Sequence, residues 1–150
     1  MKIVNLKDLP SCVDRIAFWH FSEWGGLYPG SDLEDFKADM EASLVSCRIP
    51  QTWVLMENGV AWGTVSILET DLPTCPELSP WLANVYVEPS KRGCGYGQQL
   101  VKVAMGYAEQ QNLSPLFLYT PDQVSFYEKL GWSIFKDDIY QGEKIFFMSI

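Results

Sequence analysis

The stretch Trp81–Gly97, WLANVYVEPSKRGCGYG, constrains this chain more than any other. Its apolar run, Trp81 to Val87, reads as a buried strand. Glu88-Pro89 ends the run, the basic pair Lys91-Arg92 follows, and Gly93, Gly95 and Gly97 stand at alternate positions. A helical pattern begins directly afterwards. A strand feeding a glycine loop that feeds a helix is a device for holding phosphate. The first N–H groups of a helix are unpaired, and the helix dipole adds roughly half a positive charge there. Glycine lets the backbone approach a ligand closely.

The flanking sequence frames this stretch with a mixed set of elements. Ile3 to Leu6 alternates as a first strand. Pro10-Ser11 opens a helix, with Ser11 as cap and Asp14 answering it, and Gly25-Gly26 stops it. Ser31 and Glu34 read as a second capping box, leading a helix down to about Ser46. Thr52–Met56 and Val60–Glu69 are strands joined by Asn58-Gly59, a strong hairpin signal. After the glycine loop comes a helix ending near Asn112, then a strand over Leu116–Tyr119. Pro121 opens a short helix that ends at Gly131, and Trp132–Lys136 and Glu143–Ile150 are the last two strands. The order β-α-α-β-β-β-α-β-α-β-β predicts an α/β domain spanning residues 1–150, with helices on both faces of a central sheet.

Charge narrows the function classes. The net charge is −8 over 150 residues, which argues against sequence-independent nucleic-acid binding. Between Ile49 and Ser90 there is no Lys or Arg, so Lys91-Arg92 marks an anion site beside an acidic middle of the chain. Acidity that merely maintains solubility is the plainer alternative. Cys12, Cys47, Cys75 and Cys94 lack metal-ligand spacing, and His20 is the single histidine, so no metal is expected. With no signal-peptide pattern and no membrane-length apolar run, the expected location is cytoplasmic, with reduced thiols.

Two phosphate motifs fit poorly. No Gly-Lys pair is followed by Ser or Thr, as a P-loop requires. A dinucleotide fingerprint belongs after the first strand, whereas this loop follows the fourth. Arg92-Gly93-Cys94-Gly95-Tyr96-Gly97 instead resembles the R/Q-x-x-G-x-G/A motif of the GNAT N-acetyltransferases. Val85-Tyr86-Val87-Glu88-Pro89 is similar to that family's fourth strand, and Phe126-Tyr127-Glu128-Lys129-Leu130-Gly131-Trp132 to its FYxxxGF segment. The resemblance covers essentially the whole chain. It implies an acyl-CoA N-acyltransferase fold, with a mostly antiparallel sheet of about seven strands and four helices.

The resemblance also implies acetyl-CoA as donor and an amine as acceptor. Backbone groups of Arg92, Gly93, Cys94, Gly95, Tyr96, Gly97 and Gln98 would hold the pyrophosphate. Val85, Tyr86 and Val87 would carry the pantetheine arm like an added strand, with the Val85 N–H polarising the thioester carbonyl. Tyr127 would serve the departing thiolate as general acid, although periodicity alone reads it as a core ring beside Phe126. Thr120 stands where many relatives carry Asn and would contact the cofactor; Gln123 replaces a common Ala. The acceptor would be lined by His20, Trp24, Tyr28, Glu69 and Asp71. Rings and carboxylates suit a cationic amine. Trp81 stands where some relatives place a glutamate base, so Glu69, Asp71, Glu77, His20 and Glu23 are the alternatives, His20 having the most suitable ordinary pKa. The implied partners are acetyl-CoA and a small-molecule or peptide amine, with no nucleic acid and no membrane, and the protein would be a monomer or homodimer. A non-catalytic acyl-CoA-binding module and an acyltransferase for longer acyl chains are the competing readings.

Overall fold

The computed structural model describes residues 1–150. The chain runs β1 (Lys2–Asn5), α1 (Val13–Trp24), α2 (Leu33–Val45), β2 (Gln51–Glu57), β3 (Val60–Leu68), β4 (Trp81–Val87), α3 (Tyr96–Gln110), β5 (Phe117–Thr120), α4 (Val124–Glu128), β6 (Ser133–Tyr140) and β7 (Glu143–Ser149). The element order is the expected one. The seven strands form one sheet in the order β1-β2-β3-β4-β5-β7-β6. Every neighbouring pair is antiparallel except β4 and β5.

Both hairpins follow from their turn residues. Asn58-Gly59 and Gln141-Gly142 all have positive φ, the backbone that type I′ turns need to match strand twist. The last hairpin is longer than the sequence suggests, because β6 continues through Asp137-Asp138 to Tyr140. It is an edge strand exposed along nearly its whole length, where charged residues are tolerated and discourage pairing with other chains.

Both expected helix caps are corrected. A 3-10 turn over Pro10–Cys12 leads into α1, and Cys12 is already helical, so Ser11 does not cap the helix. The box on α2 is shifted by one residue. Asp32 Oδ1 accepts from the Asp35 N–H at 3.0 Å, and the Asp32 N–H donates to Asp35 Oδ2 at 2.9 Å, in place of Ser31 and Glu34. Short aspartates fulfil here the roles that the Ser-x-x-Glu pattern advertises one position earlier. Met40 is fully buried on this helix, while Leu33 is left outside. At its far end α1 tightens into a 3-10 turn over Gly25–Leu27, without a left-handed Gly25.

Helices cover the two faces of the sheet. α1 and α2 press Ile16, Trp19 and Met40 onto Val54 and Ala61. α3 and α4 press Leu100, Val101, Ala104 and Tyr127 onto Leu55 and Val65. Under the proline-rich connection before β4, Trp81 packs with Leu72, Tyr140 and Phe147, and its Nε1 donates to the Leu78 carbonyl at 2.7 Å. The tryptophan at the possible base position is therefore a satisfied core residue. No helix is long and apolar enough to cross a membrane.

Gly63 on β3 lets the sheet close. A Cβ there would stand 2.7 Å from the Tyr86 carbonyl oxygen and 3.0 Å from Leu100 Cδ1. Gly63→Ala should therefore cost about 1–3 kcal/mol through overpacking. Urea denaturation checks this, with a lower midpoint at unchanged m value expected.

Candidate active site

The parallel contact between β4 and β5 lasts for one residue pair, Trp81 and Phe117. The Phe117 N–H donates to the Pro80 carbonyl at 3.0 Å, and beyond this point the strands have no further paired residues. The other edge of β4 is irregular too. Tyr86 pairs with Thr64 and Ala83 with Ser66, so Asn84 and Val85 together face Val65 alone. This is a β-bulge, a local irregularity that re-aims backbone groups. Asn84 takes it up with φ 56°, a left-handed backbone that asparagine tolerates better than most residues. Val85 consequently has a register partner on neither side.

A buried polar chain anchors the bulge. Asn84 Nδ2 donates to Ser66 Oγ at 3.1 Å, and Ser66 Oγ lies 2.8 Å from Thr52 Oγ1, itself 2.9 Å from Ser43 Oγ. On the backbone side, Thr64 Oγ1 donates to the Asn84 carbonyl at 2.9 Å, and His20 Nε2 lies 2.8 Å from the same Thr64 oxygen. Because the threonine proton is committed to the carbonyl, Nε2 carries the imidazole proton and Nδ1 is the acceptor.

The glycine loop lies at the other end of β4. Gly93 and Gly95 have φ of 79° and 81°, and Gly95 precedes α3 with no side-chain cap. The N–H groups of Tyr96, Gly97 and Gln98 are thus those a helix leaves unpaired. Glu57 secures the loop by accepting from Lys91 Nζ at 3.0 Å and from the Tyr96 hydroxyl at 2.9 Å. Lys91 also lies 4.8 Å from the centre of the Trp62 ring. Arg92 Nε donates to the Val87 carbonyl at 2.8 Å, and its guanidinium lies over Tyr86.

A cavity of about 870 Å³ joins these parts. Val85, Tyr86, Val87, Arg92, Gly93, Gly95, Tyr96, Gly97, Gln98, Thr120 and Tyr127 line it, as do His20, Trp24, Tyr28 and Asp71. Two expected residues do not. Glu69 is exposed, because β3 ends at Leu68 and a bend there turns Thr70 and Asp71 to the cavity. Cys94 is exposed, with its thiol toward the Arg92 carbonyl, so only its backbone belongs to the loop. Glu77 is off the wall as well, whereas Glu23 is on it. Asn84, Asp39 and Tyr119 line the cavity and escaped sequence reading. A lone Asn inside an apolar strand run was the available signal for the first.

Burial sets the protonation states. Tyr127 is 8% exposed, packed against Phe126 and Trp132, and desolvation raises its pKa, so the phenol stays protonated. His20 is pushed down to about 3 by burial, which makes it neutral and a poor proton acceptor at pH 7, against the expectation from its ordinary pKa. Burial raises Asp71 to about 6, opposed by the hydrogen bond from Tyr28 and reinforced by Asp39. The Tyr28 hydroxyl donates to Asp71 Oδ1 at 3.0 Å and lies 2.8 Å from the Tyr119 hydroxyl.

A family model described as acetyltransferase (GNAT) domain matches residues 49–134, more than half the chain. The chain belongs to the GNAT acetyltransferase family. It is accordingly an acetyl-CoA-dependent acetyltransferase. Among solved structures, it is similar to an aminoglycoside 6′-acetyltransferase type Ii, at 18% identity and TM-score 0.74, covering 100% of this chain and 96% of that one. It is also similar to yncA, a candidate acetyltransferase from Salmonella typhimurium solved with its cofactor acetyl-CoA, at 18% identity, TM-score 0.72 and coverage of 100% and 92%. A candidate streptothricin acetyltransferase from Bacillus anthracis str. Ames, in complex with acetyl coenzyme A, aligns at 17% identity and TM-score 0.61 over 73% of this chain and 66% of its own. At these identities the likeness is one of fold. No curated protein matches the sequence.

Two outcomes test this GNAT site. Gly95→Val places a β-branched side chain at φ 81° in the glycine loop, and calorimetry should find CoA binding largely lost. The second concerns pH. His20 binds its proton in the unfolded chain but not in the folded one between pH 6.5 and about 3, so its share of stability is lost as pH falls through that window. Asp71 works oppositely, since its folded pKa is raised from 3.8 to about 6 and its share is lost as pH rises through that interval. Between about pH 4 and 6 the two offset each other. Asp71→Asn should therefore steepen the rise of stability with pH there, toward the His20 limit of about 1.4 kcal/mol per pH unit, as read by denaturation at several pH values.

Proposed function

We propose that this chain transfers the acetyl group of acetyl-CoA to a primary amine of a cationic small molecule or peptide, by direct attack in a ternary complex. The observation that carries the reading is the gap between β4 and β5, where unpartnered Val85 shares one cavity with the α3 N-terminus and Tyr127. The N–H groups of Tyr96, Gly97 and Gln98, with Arg92 and the rest of the Gly93–Gly95 turn, receive the pyrophosphate. Backbone groups of Val85 and Val87 pair with the pantetheine arm as an added strand, and Thr120 lines the same wall.

The neutral amine nitrogen attacks the thioester carbon, and the C–N bond forms as the carbonyl oxygen becomes an oxyanion held by the Val85 N–H. The tetrahedral species collapses by breaking the C–S bond, whose electron pair leaves on sulfur. Tyr127 gives that sulfur its phenolic proton, and the new ammonium loses one, which restores the phenol. A buried phenol with a raised pKa suits a donor that must remain protonated until the thiolate forms. The carboxylates Glu23, Asp39 and Asp71 on the cavity wall support a cationic acceptor. The aminoglycoside acetyltransferase among the structural neighbours is an example of this fold with such a substrate named. Four unpaired cysteines suit a cytoplasmic location.

Release of free thiol from acetyl-CoA with a panel of amines tests the reading. Tyr127→Phe should lower kcat by about 10²-fold with little change in CoA affinity. An unchanged rate would remove Tyr127 from the mechanism.

A further inference from the structure

Charge on the cavity wall is segregated. Its only cations, Lys91 and Arg92, both belong to the glycine loop. Toward α1, α2 and the connection after β3, the wall carries Glu23, Asp35, Asp39 and Asp71 and no Lys or Arg. The three ion pairs of the protein join other carboxylates, so neither Asp71 nor Asp39 is neutralised by a protein cation. Asp71 is nevertheless well held, because the Tyr28 hydroxyl donates to one oxygen and is itself 2.8 Å from the Tyr119 hydroxyl. The rings of Tyr28 and Phe36, centroids 6.2 Å apart and nearly perpendicular, belong to the same wall.

Strand register places Asp71 away from the reacting centre. Thr64, which holds His20, pairs with Tyr86 beside the bulge, whereas Leu68 pairs with Trp81. Asp71 lies three residues beyond Leu68, and Trp81 is four residues, about 13 Å, from Val85. Through the Tyr28 hydroxyl, Asp71 is tied to Tyr119 on β5, the strand that has parted from β4. The groups at the two ends also differ in kind. Near Val85 stands His20, 1% exposed and neutral, whose Nδ1 can accept a hydrogen bond from an uncharged amine. At the far end stands a carboxylate that burial and a like-charged neighbour leave short of a counter-charge.

We propose that the acceptor carries a second positive charge, and that Asp71, oriented by Tyr28, binds it at the end of the cavity remote from Val85. The proposal rests on the acetyl-transfer reading and specifies its acceptor as a diamine or polyamine. One nitrogen lies uncharged between His20 and the thioester carbon. The other lies as an ammonium against Asp71 and the faces of Tyr28 and Phe36, where charge pairing and cation–π attraction act together. A monoamine of equal length occupies the same cavity and leaves Asp71 unpaired.

The test compares linear α,ω-diamines with amino alcohols of equal length, which lack only the far-end charge. Thiol release from acetyl-CoA should give the diamine an advantage of about tenfold or more in kcat/KM, the worth of one charge-assisted contact. Asp71→Asn should bring that ratio toward one, and Tyr28→Phe should lower it partway. Equal kcat/KM for the two compounds with the unaltered protein, or a ratio unmoved by Asp71→Asn, overturns the proposal. Calorimetry of the same pair on the CoA-bound protein reads the subsite without turnover. Tighter diamine binding supports it and equal affinity overturns it. Tighter diamine binding with no thiol release from any amine would sink the acetyl-transfer reading and leave the cation subsite standing.

Discussion

The structure depends on one interrupted pairing. A sheet strand ordinarily has its backbone groups satisfied on both sides, and leaving them unpaired inside a protein costs free energy. β4 breaks this rule twice over the same residues. It parts from β5 after Trp81, and it bulges away from β3 at Asn84 and Val85. In the proposed reaction, this unsatisfied edge is what a pantetheine arm, itself carrying amide groups, completes. The seven-stranded sheet and its two helical layers hold that gap open.

The surrounding polar residues explain how the gap keeps its shape. The oxygens of Ser43, Thr52 and Ser66 form a chain ending on the Asn84 side chain, while Thr64 and His20 secure its carbonyl. Each of these buried groups has a partner, which makes the network rigid instead of costly. It also accounts for the suppressed basicity of His20. A histidine held as a neutral donor to Thr64 within a core has been recruited into structure. Burial acts the other way on the phenols and the carboxylate of the cavity, raising Tyr127, Tyr28 and Asp71.

Much of the fold was legible because its signals are local. The Asn58-Gly59 turn, the helix after the glycine loop and the β4 run each depend on a few neighbouring residues, and they fall within a residue or two of expectation. The misreadings have local physical causes as well. Two aspartates outcompeted a Ser and a Glu for the α2 cap, and an exposed edge strand ran through two charges that would break a buried one. Within the site, the glycine loop and Tyr127 were legible through their motif. Glu69 was misplaced because a bend, invisible in composition, ended the strand alternation at Leu68. Tyr119 and Asp39 were missed because they join the cavity from elements distant in sequence.

By itself the sequence determined the glycine turn and the uncapped start of α3, because that arrangement is written in consecutive residues. Only the tertiary structure decided the opposite wall of the cavity. Asp71, Tyr28 and Tyr119 meet across 43 and 91 positions of chain, and the protonation of His20 depends on how deeply a helix buries it. Desolvation and long-range contact are properties of packing, so no reading of neighbouring residues could have supplied them.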